Sequence, residues 1–239
     1  MKVLGIIPAR YASSRFPGKP LIDLKGKSMI QRVYEGARQC PDLSELIVAT
    51  DDERIFEHVL SFGGKAKMTS PNHHSGTERC QEVAAQYEEV DVVINIQGDE
   101  PLVNPRQLSE LLQLFKNPNV AIGTLVIPIA DLEDLHDKNR IKVVMNQHGE
   151  ALCFSRNCLP SLTFPSEIVP YRHIGLYAYR HEVLAEITQL PPCAWEKSES
   201  LEQLRWLYAG YTIHTAITYL ETPNIDVPED VEKVLSLIK

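Results

Sequence analysis

The fold is decided by the stretch Val3-Leu4-Gly5-Ile6-Ile7-Pro8-Ala9-Arg10-Tyr11-Ala12-Ser13-Ser14-Arg15-Phe16-Pro17-Gly18-Lys19-Pro20. Its apolar first part, Val3–Ile7, predicts a buried strand that ends at Pro8. The loop that follows holds two arginines, two serines, a glycine and a lysine, so it can offer backbone N–H groups and fixed cations to a polyphosphate. A surface loop with solvated charges is the alternative, but the stretch favours a nucleotide ligand.

Strands and helices continue to alternate along the first half of the chain. Apolar runs predict the strands, and apolar residues at helical spacing predict the helices between them. The strands are residues 3–7, 45–50, 65–69, 90–96 and 120–127, and the helices lie near residues 29–37, 52–62, 77–87 and 108–115. This order predicts βαβ units and an α/β fold with a mostly parallel sheet. Ligands of such sheets bind at the carboxyl ends of the strands, where the loops from Pro8, Thr50 and Gln97 begin.

The pattern changes after about residue 128. The predicted elements there are a hairpin of residues 141–145 and 151–155, strands at 174–179 and 212–219, and helices at 198–208 and 231–238. No linker separates this part from the first. We therefore expect residues 1–239 to form a single domain, in which approximately residues 129–220 contribute a smaller inserted lobe.

Composition and charge are typical of a soluble globular protein. Hydrophobic residues make up 44% of the 239 residues and charged residues 23%, which suits a packed core. The net charge of −8 disfavours a nucleic-acid-binding surface, so an anionic ligand would need a local basic pocket. No apolar run approaches the roughly 20 residues of a membrane helix. The apolar part of residues 1–10 is also too short for a signal peptide, and the prediction is a cytoplasmic protein.

The cationic loop matches neither of two common phosphate-binding motifs. Gly18-Lys19 is followed by Pro20 instead of serine or threonine, no glycine stands at the upstream spacing of a Walker A motif, and the loop is not G-x-G-x-x-G. These differences disfavour a P-loop ATPase and a dinucleotide-binding enzyme.

Two acidic stretches are candidate metal sites. In Gln97-Gly98-Asp99-Glu100-Pro101, an apolar strand delivers Asp99 to its carboxyl end, behind a glycine that permits close approach. Such an aspartate suits Mg²⁺, which takes oxygen ligands and bridges phosphates, although it could equally close a turn or cap a helix. Asp226-Val227-Pro228-Glu229-Asp230 precedes the last predicted helix, where acidic residues are favoured by the helix dipole alone.

A further candidate is His73-His74-Ser75-Gly76-Thr77-Glu78-Arg79. Adjacent histidines rarely converge on one metal ion. Ser75 and Gly76 more plausibly let the backbone approach a ligand before a helix starts. Arg79 in the first turn could face an anion or be an ordinary surface arginine.

Taken together in this order, these motifs resemble the 3-deoxy-manno-octulosonate (Kdo) cytidylyltransferases, also called CMP-Kdo synthetases. The resemblance runs nearly from end to end. It rests on residues 7–21, 74–79 and 97–101, and continues through Phe154-Ser155-Arg156, Arg172-His173-Ile174-Gly175-Leu176-Tyr177, Leu201-Glu202-Gln203-Leu204-Arg205 and residues 226–230.

The resemblance implies transfer of CMP from CTP to the anomeric hydroxyl of Kdo, with release of pyrophosphate, for lipopolysaccharide biosynthesis. It also implies Mg²⁺ as cofactor, CTP and Kdo as small-molecule substrates, and a homodimer. The implied fold is a nucleotidyltransferase-type, Rossmann-like sheet with helices on both faces, together with a smaller lobe that serves the sugar site and dimerisation.

Residue roles follow from the resemblance position by position. The implied nucleotide-binding residues are Arg10, Ser13, Ser14, Arg15, Lys19, Ser75 and Gly76. The implied sugar-binding residues are Arg79, Gln97, Arg156, His173, Tyr177, Glu202 and Gln203. Asp99 and Asp226 are the implied Mg²⁺ ligands, and Arg10, Lys19 and Asp99 are expected to be catalytic.

These assignments agree with the chemistry, because charge develops on phosphate oxygens while both substrates are anions. Fixed cations and Mg²⁺ can stabilise that charge and hold the reacting atoms in line. No general base stands out, so we hypothesise that the metal polarises the sugar hydroxyl.

Two departures from the family pattern leave the substrate open. Val227 stands where the family usually has threonine, and residues 157–164 lack a charged run found in many members. An 8-amino analogue of Kdo is therefore a second candidate substrate. The sequence is also compatible with a nucleotidyltransferase for another sugar, a glycosyltransferase that uses a nucleotide sugar, or a non-enzymatic binding protein.

Overall fold

The computed structural model describes residues 1–12, 16–161 and 168–238. The chain divides into two compact units, Met1–Ser109 with Glu221–Lys239, and Glu110–Leu220. The lobe expected at residues 129–220 falls within the second unit.

The first unit is built on a parallel sheet. Its strands are β1 (Val3–Ala9), β2 (Glu45–Thr50), β3 (Ala66–Met68) and β4 (Val92–Asn95), in the spatial order β3-β2-β1-β4. All three pairings are parallel, which confirms the predicted α/β class with a mostly parallel sheet. Pro8 does not end β1, because the strand still pairs with β2 through Ala9 after its pairing with β4 has ended at Ile6.

Helices follow the strands of this unit, as the apolar spacing predicts. They are α1 (Met29–Ala37), α2 (Glu53–Ser61), α3 (Gly76–Ala84), α4 (Pro105–Gln113), which begins in this unit, and α9 (Asp230–Leu237) near the end of the chain. Ser28, Asp52 and Ser75 cap α1, α2 and α3 through side-chain oxygens that accept backbone hydrogen bonds. Short 3-10 turns occur at Lys19–Leu21 and Leu114–Lys116.

The end of the chain packs into the first unit. Leu24 and Met29 form a buried cluster with Ile225, Val234 and Ile238. This apolar contact fixes the segment before α9, which carries Asp226, against the elements that follow the cationic loop.

The second unit contains a mixed sheet. Its strands are β5 (Ile122–Pro128), β6 (Lys142–Met145), β7 (Ala151–Ser155), β8 (Tyr171–Arg180) and β9 (Ile213–Ile217). Strand β8 runs antiparallel to β5 and β6, β6 and β7 form the predicted hairpin, and β9 is parallel to β5. Its helices are α5 (Leu132–His136), α6 (His181–Ile187), α7 (Ala194–Glu199) and α8 (Gln203–Tyr208).

The structure corrects the sequence-based prediction in this unit. The single helix predicted at residues 198–208 is wrong, because α7 ends at Glu199 and the next residue, Ser200, has a φ of 53° in the left-handed region. Helix α8 begins separately at Gln203. Helices α5 and α6 were not predicted, because they are too short to give a clear helical period. Among the described residues, no helix has the length and apolar character needed to cross a bilayer.

Candidate active site

A cavity of about 250 Å³ opens where β1 and β4 end in the first unit. The loops after these strands and the start of α3 line it. The cavity brings together the predicted site residues Arg10, Lys19, Ser75, Gly76, Arg79, Gln97 and Asp99. Three further predicted residues, Ser13, Ser14 and Arg15, lie outside the described residues.

Two glycines allow the walls of this cavity to approach one another. A Cβ atom on Gly98 would lie 2.7 Å from the carbonyl oxygen of Pro8, and one on Gly76 would lie 3.2 Å from the Pro8 ring. Both positions therefore suit glycine, and the close approach expected from the sequence at Gly98 is confirmed. Because Ser75 caps α3 here, the positive end of the helix dipole also lies at the cavity wall.

The cationic loop is held by Tyr11 and Gly18. Gly18 has a φ of 73°, in the left-handed region that favours glycine, and its N–H donates to the Tyr11 carbonyl at 2.9 Å. The guanidinium of Arg54 lies 3.4 Å from the centre of the Tyr11 ring. These contacts close the loop and deliver Lys19 to the cavity.

Lys19 joins three parts of the first unit. Its Nζ atom lies 2.9 Å from Asp99 Oδ2 and 2.8 Å from the carbonyl oxygen of Ile225. The backbone N–H of Ile225 in turn donates to the Asp99 carbonyl at 2.9 Å. These hydrogen bonds connect the loop after β4 with the segment before α9. Asp226 directly follows Ile225, which is hydrogen-bonded to Asp99.

Asp226 and Asp230, the two aspartates near the start of α9, make different contacts. Asp230 accepts hydrogen bonds from the backbone N–H groups of Asp226 and Val227, at 2.8 and 3.0 Å, and so organises the start of α9. The Asp226 carboxylate accepts from Asn224 at 2.8 Å and lies outside the helix. The helix-start role that the sequence allows for this acidic stretch therefore belongs to Asp230.

The residues present suit a magnesium ion whose remaining ligands would come from a substrate and water. Asp99 and Asp226 offer the hard oxygen atoms that Mg²⁺ prefers, and Mg²⁺ typically uses one or two carboxylates together with phosphate and water. Among residues 1–12, 16–161 and 168–238, no group of three or more His, Cys, Asp or Glu side chains could hold a metal. The described residues therefore do not form a metal site from three or more of these side chains.

Arg79 is a buried cation, with 4% of its surface exposed. Its Nη2 atom lies 3.1 Å from Asp51 Oδ2, and its Nη1 atom donates to Thr69 Oγ1. Asp51 directly follows β2, whereas Arg79 belongs to α3. The interpretation of Arg79 as a surface arginine is thereby wrong. Asp51 and Thr69 were missed as supports of the site because the sequence shows no pattern that joins them to Arg79.

In the second unit, His173 and Tyr177 lie in an aromatic cluster. Their ring centroids are 5.2 Å apart, and the rings of Phe154 and Trp206 lie 5.1 Å from His173 and Tyr177, respectively. Strand β8 bulges between residues 174 and 177, where its register with β5 shifts. Since residues four apart on a regular strand are separated by roughly 13 Å, the bulge explains how the two rings meet.

Several polar atoms of this cluster are buried without a hydrogen-bond partner among the described residues. They are the Tyr177 hydroxyl, Gln203 Nε2 and Trp206 Nε1. Gln203 and Trp206 lie on α8, and Glu202 immediately precedes that helix. Such atoms are costly to bury unpaired, so they are candidates for contact with a ligand. Trp206 is not recognisable as a site residue from the sequence, because no motif distinguishes it from a tryptophan of the core.

His173 and Tyr177 are both neutral near pH 7. Burial, together with the charge of Arg172, lowers the pKa of His173 to about 3. Burial and then the nearby Glu202 raise the pKa of Tyr177 well above its usual value. An interaction with the Thr124 side chain offsets a smaller part of that shift in the pKa of Tyr177. The cluster therefore offers uncharged hydrogen-bonding groups.

Arg156, also predicted to bind sugar, is held by backbone carbonyls. Its guanidinium donates to the carbonyl oxygens of Glu199, Lys138 and Ser200 at 2.6, 3.0 and 3.4 Å. These contacts fix the end of α7, and they give Arg156 a structural role that requires no ligand.

Comparison with known proteins decides the family. A family model described as cytidylyltransferase matches residues 4–214. The chain belongs to the cytidylyltransferase family. A 3-deoxy-manno-octulosonate cytidylyltransferase of Parabacteroides distasonis is 51% identical, over 100% of this chain and 98% of that protein. The enzyme of the same name from Cytophaga hutchinsonii is 49% identical, over 98% of this chain and 96% of that protein.

A solved structure agrees with these relatives of the cytidylyltransferase. It is a CMP:2-keto-3-deoxy-manno-octonic acid synthetase complexed with CTP, and it superposes with a TM-score of 0.94 at 45% identity, covering 99% of this chain and 98% of its own. The family expected from the sequence motifs is thereby confirmed. Neither an amino-sugar substrate nor a nucleotide-sugar-dependent glycosyltransferase is favoured. The departing segment after Arg156 lies partly outside the described residues, because residues 162–167 are not described.

Proposed function

We propose that this cytidylyltransferase transfers CMP from CTP to the anomeric hydroxyl of Kdo, releasing pyrophosphate and making CMP-Kdo for lipopolysaccharide biosynthesis. The observation that carries the proposal is the hydrogen-bonded connection of Lys19 with Asp99 and Ile225. Through these bonds, a cation that can bind a triphosphate is connected to the two segments that carry Asp99 and Asp226. The CTP complex of the similar synthetase supports cytidine as the nucleoside.

CTP is assigned to the cavity of the first unit. Arg10 and Lys19 line it and would bind the triphosphate, whose charge they complement. Ser75 and Gly76, at the start of α3, would approach the nucleoside, and Gly76 leaves the space for that approach. Ser13, Ser14 and Arg15 are assigned to the same nucleotide on the sequence resemblance alone.

Mg²⁺ is assigned to Asp99 and Asp226. These two carboxylates would hold the ion, which would supply positive charge to offset the developing phosphate charge and would lower the pKa of a coordinated hydroxyl. Lys19 already neutralises part of the Asp99 charge, with its Nζ atom at 2.9 Å. The chain itself therefore holds the acid in place in readiness for a nucleotide.

Kdo is assigned to the uncharged cluster of the second unit. His173, Tyr177 and Gln203 offer neutral hydrogen-bonding atoms, and Glu202 adds a carboxylate. The sequence resemblance alone also implies sugar-binding roles for Arg79 and Gln97.

The reaction needs no base from these side chains. An oxygen–phosphorus bond forms between the sugar hydroxyl and the α-phosphorus, the bond to pyrophosphate breaks, and the hydroxyl proton leaves to solvent. With a pKa of about 3, His173 is a poor proton acceptor at neutral pH. Positioning and charge stabilisation by Arg10, Lys19 and Asp99 are the catalytic contributions that we propose.

We further propose that the enzyme works in the cytoplasm as a homodimer. The sequence resemblance supports the homodimer, and the composition, with 44% hydrophobic and 23% charged residues, supports a soluble enzyme. Size-exclusion chromatography with light scattering would measure the mass, and a monomer at micromolar concentration would contradict the dimer.

The test is pyrophosphate release from CTP and Mg²⁺ with a panel of sugars. We expect release with Kdo and none without sugar or with sialic acid, and mass spectrometry should identify CMP-Kdo. An 8-amino analogue of Kdo is run in parallel. Release only with that analogue would keep the reaction and overturn the substrate, whereas no release with any sugar would overturn the proposed function.

A further inference from the structure

Thr124 lies opposite the β8 bulge and is completely buried. Its Oγ1 atom contacts three groups of β8. They are the Leu176 carbonyl oxygen at 2.7 Å, His173 Nε2 at 2.9 Å and the Ile174 carbonyl oxygen at 3.2 Å. These contacts determine which nitrogen of His173 carries its proton.

A threonine hydroxyl has one proton to donate and can accept hydrogen bonds through its lone pairs. The two carbonyl oxygens can only accept, and the shorter contact is with Leu176. The Thr124 proton therefore belongs to the Leu176 carbonyl. If it pointed at His173 instead, two oxygen atoms would face each other at 2.7 Å with no proton between them. His173 Nε2 must consequently be the donor to Thr124.

The opposite nitrogen of the ring is then an acceptor. A neutral imidazole carries its proton on one nitrogen only, and burial beside Arg172 keeps His173 neutral. Among the described residues, Nδ1 has no hydrogen-bond partner. The rings of Phe154 and Tyr177, 5.1 and 5.2 Å away, restrict the imidazole on two sides. Its orientation is therefore fixed before any ligand arrives.

We propose that Thr124 is a positioning residue, which holds His173 as the Nε2–H tautomer so that Nδ1 accepts a hydrogen bond from a sugar hydroxyl. The proposal rests on the proposed function, which assigns His173 to the sugar. It deepens that function by stating the direction of the hydrogen bond. The group recognised is a hydroxyl donor of a polyhydroxylated acid sugar, and an ether or a deoxy position would not satisfy it.

The first test needs no substrate. The His173 ring of the ¹⁵N-labelled protein is observed by NMR near neutral pH and assigned from the spectrum of His173→Gln. We expect a protonated Nε2 and an unprotonated Nδ1. The reverse tautomer, or a ring protonated on both nitrogens, would overturn the proposal whether or not the protein turns over Kdo.

The second test separates positioning from folding. Thr124→Val removes the acceptor, and we expect the KM for Kdo to rise about tenfold, the cost of one lost hydrogen bond, while the KM for CTP and kcat stay within about twofold. Thr124→Ser keeps the hydroxyl and should restore the KM for Kdo. Equal losses for both substrates, or no rescue by serine, would assign Thr124 a purely structural role and overturn the proposal.

Thr215→Val is the matched control. Thr215 is a buried threonine of the same unit, and its hydroxyl donates to the Gly149 carbonyl at 2.9 Å. The Thr215→Val variant should have a lower thermal stability without a selective change in the KM for Kdo. A selective rise in this control would overturn the proposal, because burial of a threonine in this unit would then suffice to explain the effect. If Thr124→Val does not fold, the serine variant and the NMR measurement still decide. Absence of turnover in the unchanged enzyme would instead reject the proposed function.

Discussion

The cavity of the first unit and the aromatic cluster of the second differ in the charge of the groups that they present. The cavity is lined by Arg10, Lys19, Arg79 and Asp99, which carry full charges. The cluster around His173 and Tyr177 offers neutral groups, because burial opposes their ionisation. A triphosphate with a divalent ion calls for charge, whereas hydroxyls call for directed neutral hydrogen bonds. The contrast agrees with the two substrates proposed above, and the following substitutions test it.

The largest effect should come from Asp99→Asn. The amide keeps the shape but loses the charge that Lys19 and Mg²⁺ would neutralise, and we expect kcat to fall by roughly three orders of magnitude. Binding of CTP, measured by calorimetry, should weaken by no more than about tenfold, because Arg10 and Lys19 remain. The control is Asp91→Asn, because Asp91 directly precedes β4 and binds the backbone N–H of Lys2, at the edge of the same sheet opposite the cavity. Near-normal turnover of Asp99→Asn would remove the metal assignment.

Asp51→Asn should have the next largest effect. It removes the carboxylate charge that is hydrogen-bonded to the buried Arg79 guanidinium, and we expect a loss of about 1–3 kcal/mol in the free energy of unfolding together with a higher KM for Kdo. Urea denaturation and steady-state kinetics measure these two quantities.

The neighbouring acid is a matched control for this change. Asp52 pairs with Arg54, whose side chain is 59% exposed, and asparagine caps a helix as well as aspartate does. Asp52→Asn should therefore cost less than about 1 kcal/mol. Equal losses at positions 51 and 52 would show that the buried pair with Arg79 has no special importance.

A smaller effect concerns acid stability. The folded pKa of His173, about 3, lies below the unfolded value of about 6.5. Between these values the unfolded chain binds a proton that the folded chain does not, so this stabilisation is present above about pH 6.5 and is lost as the pH falls towards 3. From about pH 7 to pH 5, the unchanged enzyme should lose roughly 1–2 kcal/mol more than His173→Gln. Parallel losses in urea denaturation would mean that His173 titrates normally.

The smallest effect is expected for Val227→Thr, which restores the residue usual in the family. The contact that organises this position is the backbone N–H of Val227 to Asp230, and it does not involve the side chain. We expect kcat and both KM values to change by less than about twofold, as for a substitution that alters no buried contact. A clear gain in turnover would show that a hydroxyl at this position serves the metal site.

The sequence predicts the charged site better than the neutral one. The cationic loop directly follows β1, and Asp99 closely follows β4, so periodicity and residue type are enough to place them at one edge of a parallel sheet. The contact of Arg79 with Asp51 joins residues 28 positions apart, and no local pattern indicates it.

The neutral cluster depends on backbone detail that residue types do not encode. The β8 bulge brings His173 to Tyr177 and Thr124, but alternation along residues 174–179 predicts only a regular strand. The break between α7 and α8 is similarly hidden, because Ser200 adopts a left-handed conformation that is uncommon outside glycine and asparagine. Both features were therefore visible only in the structure.

The division of tasks between the two regions is tested most directly by measuring the KM for CTP and the KM for Kdo in two variants under the same conditions. Arg10→Lys changes the charged cavity, and His173→Gln removes the neutral acceptor Nδ1 while keeping a polar group near Thr124. We predict a crossed result, in which Arg10→Lys raises mainly the KM for CTP and His173→Gln raises mainly the KM for Kdo. Equal increases of both KM values in both variants would contradict it.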